Sequence, residues 1–68
     1  MTDLKQPMQN KQKYAERWFV AAKDYADKGE YERAIAALNR VLFYDPQFPQ
    51  KSEVEKLLKE YELKRRAN

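Results

Sequence analysis

The chain has no cysteine and no histidine. Without cysteine there is no disulfide to staple a small fold and no thiol redox centre. Without histidine the usual general base is gone, and with both missing no thiolate or imidazole metal ligand remains. Glycine occurs once and proline three times, too few for a loop-rich or low-complexity chain. A phosphate-cradling glycine loop is excluded, because Gly29 stands alone. Long hydrophobic runs are missing too: nothing approaches the ~20 apolar residues needed to span a bilayer. The opening MTDLKQPMQNKQ lacks the apolar core of a secretory leader. The expectation is a cytoplasmic protein that uses no cofactor and no metal. With 68 residues, one small domain is expected, and a core of that size leaves only about 3–5 kcal/mol of net stability.

Charge of one sign is also scarce. The net charge is +3, and its distribution says more than its size. Residues 1–13 carry one acid and three bases, residues 14–50 six acids and five bases, and residues 51–68 four acids and six bases. The basic excess sits at the two ends, whereas a nucleic-acid surface gathers its bases on one face.

What is present is helical periodicity. Residues 1–11 are polar, contain Pro7 and show no period, which predicts a disordered or partner-ordered tail. From about Gln12 to Lys28, Tyr14, Trp18, Ala21, Ala22 and Tyr25 fall on one helical stripe at about 100° per residue. Lys28-Gly29 reads as the stop, with glycine free to take the left-handed conformation at the cap. A second helix from about Tyr31 to Tyr44 places Tyr31, Ala34, Ile35, Leu38, Val41 and Leu42 on its stripe. Asp45-Pro46 ends it, since proline cannot continue the hydrogen-bond ladder. So short a connection makes the two helices antiparallel neighbours.

A third helix is expected over about 52–66, opened by a capping box of Ser52 and Glu55. Val54, Leu57, Leu58 and Tyr61 form its apolar stripe. Its polar face is laced by Glu55–Lys59, Glu60–Lys64 and Glu62–Arg66, each acid four residues before its base, a pairing worth roughly 0.2–0.5 kcal/mol. The fold class expected is therefore all-α: an antiparallel helical hairpin plus a carboxy-terminal amphipathic helix, with residues 12–68 forming the domain.

Between Ala15 and Phe48 the residues AERWFVAAKDYADKGEYERAIAALNRVLFYDPQF carry Trp18, Ala21, Ala22, Tyr25, Ala34, Leu38 and Pro46 at a set of offsets. Those offsets resemble the tetratricopeptide repeat, W-x2-L-G-x2-Y, then A-x3-F, then P. Ala21 and Ala22 stand for the leucine and glycine, Leu38 for the aromatic, and Val41 where a small residue is common. The resemblance covers half the chain and implies a protein-binding surface: an adaptor, assembly factor or small subunit. It also implies that the Ser52 helix caps the hairpin on one side. Such units normally stack on neighbours, so the uncapped amino-terminal side implies a self-associated or partner-bound chain.

The resemblance also locates a surface. On the first helix, Glu16, Phe19, Val20, Lys23, Ala26 and Asp27 match the offsets that line the concave groove of such proteins. Phe19 and Val20, apolar and off the core stripe, are the informative members. Phe19 has a second reading, as a ring packed against the third helix or another copy of the chain. The basic and amide residues that grip a chain-terminal carboxylate in chaperone-binding members are missing, which argues against heat-shock-protein tails. Phe43 and Tyr44 flank the second stripe, Phe48 is the expected anchor of the connecting loop, and Leu63 points away from the third stripe.

An enzyme is not expected, since no nucleophile–base pair or paired carboxylates outside solvated helix faces can be found. The competing function is that of a small basic helical protein gripping nucleic acid or an anionic membrane surface through Lys64-Arg65-Arg66 and the amino-terminal bases. The interleaved acids of the third helix weaken that field, and its stripe lacks the Trp or Phe that anchors interfacial helices. Another protein or peptide is the expected partner, with a second copy of this chain the next choice.

Overall fold

The computed structural model describes residues 6–67, with side chains described from residue 11 onward. Three helices follow one another: α1, Gln6–Asp27; α2, Tyr31–Tyr44; and α3, Lys51–Ala67. α1 packs against α2 and α2 against α3. No strand occurs among the described residues, and the class is all-α as expected.

α1 begins at Gln6, a turn and a half before the Gln12 start read from periodicity. Of the expected tail 1–11, residues 6–11 are helical, and residues 1–5 lie outside the described residues. Pro7 does not oppose this start: in the first turn its missing N–H has no intrahelical acceptor to lose, and its φ is already helical. These residues are mostly polar and carry no apolar period in the sequence, so periodicity could not mark this first stretch of α1.

At its other end α1 closes in a Schellman motif. The Glu30 N–H donates to the Tyr25 carbonyl at 2.8 Å and the Gly29 N–H to that of Ala26 at 3.0 Å. Gly29 takes φ 80°, the left-handed conformation that the cap requires. α2 stops at Asp45, whose N–H still donates to the Val41 carbonyl at 2.9 Å. The Asp45 carboxylate then accepts from the Gln47 N–H at 3.2 Å, and its carbonyl from the Phe48 N–H at 3.0 Å. This aspartate turn aims Phe48 inward.

α3 starts at Lys51 rather than at Ser52. The Gln50 carbonyl accepts the first helical bond, from Val54 N–H at 3.0 Å, so Ser52 lies inside the first turn and no Ser52–Glu55 capping box forms. Burial of Phe48 sets the start, because the chain has only Pro49 and Gln50 in which to turn back along α2. Of the three pairs expected along α3, Glu60–Lys64 forms at 3.7 Å. Glu62 turns instead to Arg65 at 3.0 Å, and Arg65 also reaches Glu32 of α2 at 3.7 Å.

The core comprises Ala15, Phe19 and Ala22 of α1, Ala34, Ala37, Leu38 and Val41 of α2, Phe48 of the turn, and Val54 and Tyr61 of α3. The four alanines are essentially solvent-free, which lets α1 and α2 approach closely. Relative to the stripe read from sequence, the buried face of α1 is rotated by one residue. Ala15, Phe19 and Ala22 form its centre, and Trp18 and Tyr25 sit half-buried at its margin.

Candidate interaction surface

The six residues expected on the binding face of α1 divide into two groups. Phe19 is 6% exposed and belongs to the core, its ring 5.4 Å from that of Phe48 in an edge contact. Ala26, half-buried, packs on the same core. Glu16, Val20, Lys23 and Asp27 are exposed. The expected groove is therefore partly filled from within: Phe48 occupies the space beside Phe19. Lys23 lies over the Phe19 ring at 4.4 Å and pairs with Glu53 of α3 at 3.6 Å. That bridge is half-exposed and worth no more than about 1 kcal/mol. It ties Lys23, which lies over the Phe19 ring, to the start of α3.

What remains open on α1 is a row around Val20, which is 66% exposed. A shallow depression of about 500 Å³ lies there, lined by Lys13, Glu16, Arg17 and Val20.

Two further surfaces were not picked out as sites by the sequence reading. One is an aromatic edge at the free side of the hairpin. Tyr14 meets Tyr44 at 5.7 Å, Phe43 meets Tyr44 at 5.5 Å, and the Arg40 guanidinium stands 4.8 Å from the Trp18 ring. Phe43 is 79% exposed, the most open large apolar side chain among the described residues. The other is a groove of about 560 Å³ between α2 and α3, with Ile35 and Leu58 at its base and Leu63 on its wall. Signals for both exist in the chain: Phe43 and Leu63 lie off their helices' stripes, and Ile35 and Leu58 lie at the stripe margins.

The basic end of α3 is mostly engaged. Lys64 pairs with Glu60, Arg65 with Glu62 and Glu32, and only Arg66 of the three has no acidic partner among the described residues. Lys64 also stands 5.9 Å from the Tyr31 ring, which in turn meets Tyr61 at 5.9 Å. Burial holds the Tyr61 hydroxyl above the ordinary tyrosine range, and the negative charges of Glu60, Asp27 and Glu53 add to the effect. No described residue belongs to a group of three or more acids able to hold a metal ion. No helix among the described residues is long and apolar enough to cross a membrane.

Comparison of the chain with protein-family models, curated proteins and solved structures finds no match.

Proposed function

We propose that this chain is a protein-interaction module, an adaptor, assembly factor or small subunit of a larger complex that performs no chemistry. It would act as a single tetratricopeptide-like hairpin with α3 as its carboxy-terminal cap, working in the cytoplasm. The observation that carries the reading is the exposure of large apolar residues on preformed helices: Val20 at 66% and Phe43 at 79%. In a chain with so small a core, apolar side chains left in water are the available currency for binding a peptide or helix. Phe19 and Ala26 leave the contact set, and Glu16, Val20, Lys23 and Asp27 remain in it.

The competing assignment to nucleic acid or an anionic membrane surface has less support. Lys64 and Arg65 spend their charge on Glu60, Glu62 and Glu32, so of the Lys64-Arg65-Arg66 cluster only Arg66 is left to displace counterions from a phosphate backbone.

A photo-crosslinking amino acid placed at Val20 or Phe43 tests the reading in cells. The expected result is a discrete product with one protein from at least one of these positions and none from the control position Lys28. Absence of any discrete product, together with a shift of nucleic acid or pelleting with anionic vesicles at ~0.15 M salt, would replace the proposal by its competitor.

A further inference from the structure

The groove between α2 and α3 is apolar at its base and basic along its rim. Ile35 and Leu58 are half-buried beneath it, and Leu63 projects 68% exposed beside it. Lys59 and Arg66 stand on the rim, seven residues apart, which puts them two turns and about 10.5 Å apart along one side of α3. Neither has an acidic partner within ion-pair distance among the described residues. Glu62, the acid between them, is already hydrogen-bonded to Arg65 at 3.0 Å. The rim therefore presents two unpaired cations, and with Lys56 in the adjoining depression the bases outnumber the lining acids Glu55 and Glu62. A second depression of about 610 Å³ shares Leu58 and Lys59 and continues along α3 to Ser52, so the trough runs most of the helix.

We propose, building on the reading of this chain as an interaction module, that the α2–α3 groove binds an acidic amphipathic helix of another protein. The partner's leucine-type stripe lies on Ile35, Leu58 and Leu63, and carboxylates two turns apart on its flank meet Lys59 and Arg66. A stripe with i, i+3, i+4 and i+7 anchors is how a helix fills a groove of this kind, and the paired charges fix its register and direction. A second copy of this chain fits worse. Its aromatic edge carries Arg40 and would set base against base, and its α1 row offers one valine among charges of both signs.

The test uses the full chain and two synthetic helical peptides of about 18 residues, long enough to run the length of α3. Both carry the same leucine stripe, flanked by glutamates in one and by lysines in the other. At ~0.15 M salt, the glutamate peptide is expected to shift the amide resonances of Ile35, Leu58, Lys59 and Leu63. Lys59→Glu with Arg66→Glu should weaken it about tenfold or more and improve the lysine peptide, a charge swap that loss of folding could not mimic. Both substituted residues are exposed, and circular dichroism checks that the helices persist. Equal binding of the two peptides would overturn the proposal, as would no binding of the glutamate peptide at ~1 mM. So would groove shifts that grow with protein concentration alone, which would make the occupant a second copy. Shifts confined to Glu16 and Val20 would overturn the groove while leaving the interaction-module reading in place.

Discussion

Phe19 and Phe48 meet ring to ring at 5.4 Å, and Tyr14 and Tyr44 at 5.7 Å, with Phe43 another 5.5 Å beyond. The separations are nearly equal, yet Phe19 and Phe48 are 6% and 4% exposed, whereas Tyr14 is 49% and Phe43 79% exposed. The rings do not make the difference; the cover does. The Asp45 turn carries Phe48 inward against Phe19, and Lys23, paired with Glu53 of α3, lies over the Phe19 ring. The second cluster has only α1 and α2 beside it among the described residues. An aromatic contact adds about 0.5–1.5 kcal/mol beyond the area it buries, and full burial of the side chain adds roughly 1.5–3 kcal/mol more. In a chain this short, a third element decides which aromatic cluster is core and which is surface.

The sharpest way to break the comparison is to delete a ring from the covered cluster. Phe19→Ala or Phe48→Ala is expected to cost about 3–5 kcal/mol, which equals the whole net stability of a core this size. Far-ultraviolet circular dichroism should then show loss of helix in each variant. A Phe19→Ala protein with an unchanged urea midpoint would return Phe19 to the surface. Trp18→Ala comes next. Its ring is half-buried under Arg40 at 4.8 Å, so a cost of about 1–3 kcal/mol is expected, with the chain still folded at low temperature. A loss as large as that at Phe19 would move the edge into the core.

These two residues also mark how far the sequence could be read. Periodicity located all three helices, the Gly29 stop and the Pro46 stop, because local backbone chemistry sets them. The need for the connecting loop to fold back put Phe48 inside, and periodicity also put Leu63 outside. It put Trp18 at the centre of the α1 stripe and offered Phe19 to a partner, when the buried line runs through Ala15, Phe19 and Ala22. A stripe is a sum over all neighbours of a helix. α1 touches α2 on one side and meets Phe48 and Glu53 on the other, and the second contact rotates its buried face by one residue. Residue spacing within α1 holds no information about where the Asp45 turn sends Phe48. The misplaced Ser52 cap has the same origin, since the length of that turn, rather than the serine, sets where α3 begins.

The covered side of the molecule can also be told from the open one by titration. Tyr61 is 6% exposed, and its hydroxyl is held above the ordinary tyrosine range by burial and by nearby carboxylates. A raised folded value favours the neutral phenol in the native state. Its stabilisation is thus complete below the unfolded value of about 10 and declines as pH rises through the folded one. The stability measured by urea should fall above pH ~10, and Tyr61→Phe should lessen that fall. Phenolate absorbance should show a late-titrating step that disappears in the same variant. A variant that leaves the late step in place would assign it elsewhere and remove Tyr61 from the covered side.

The smallest effect on stability, and the one that bears most on function, is expected at Phe43. Its ring touches the half-buried Tyr44 but stands 79% in water, so the contact brings Phe43 itself little burial. Phe43→Ala should shift the unfolding free energy by no more than about 0.5 kcal/mol, the range of an ordinary surface substitution. The residue's sequence position gives it no other structural duty: it faces away from Leu38 and Val41, and α2 ends one residue later. A large apolar side chain that costs nothing to remove is free to contact a partner, as the proposed function requires. Binding to the cross-linked partner should therefore weaken in Phe43→Ala while the urea midpoint stays in place. A fall in both would make the outer cluster an extension of the core, and the difference between the two aromatic pairs would then be one of degree.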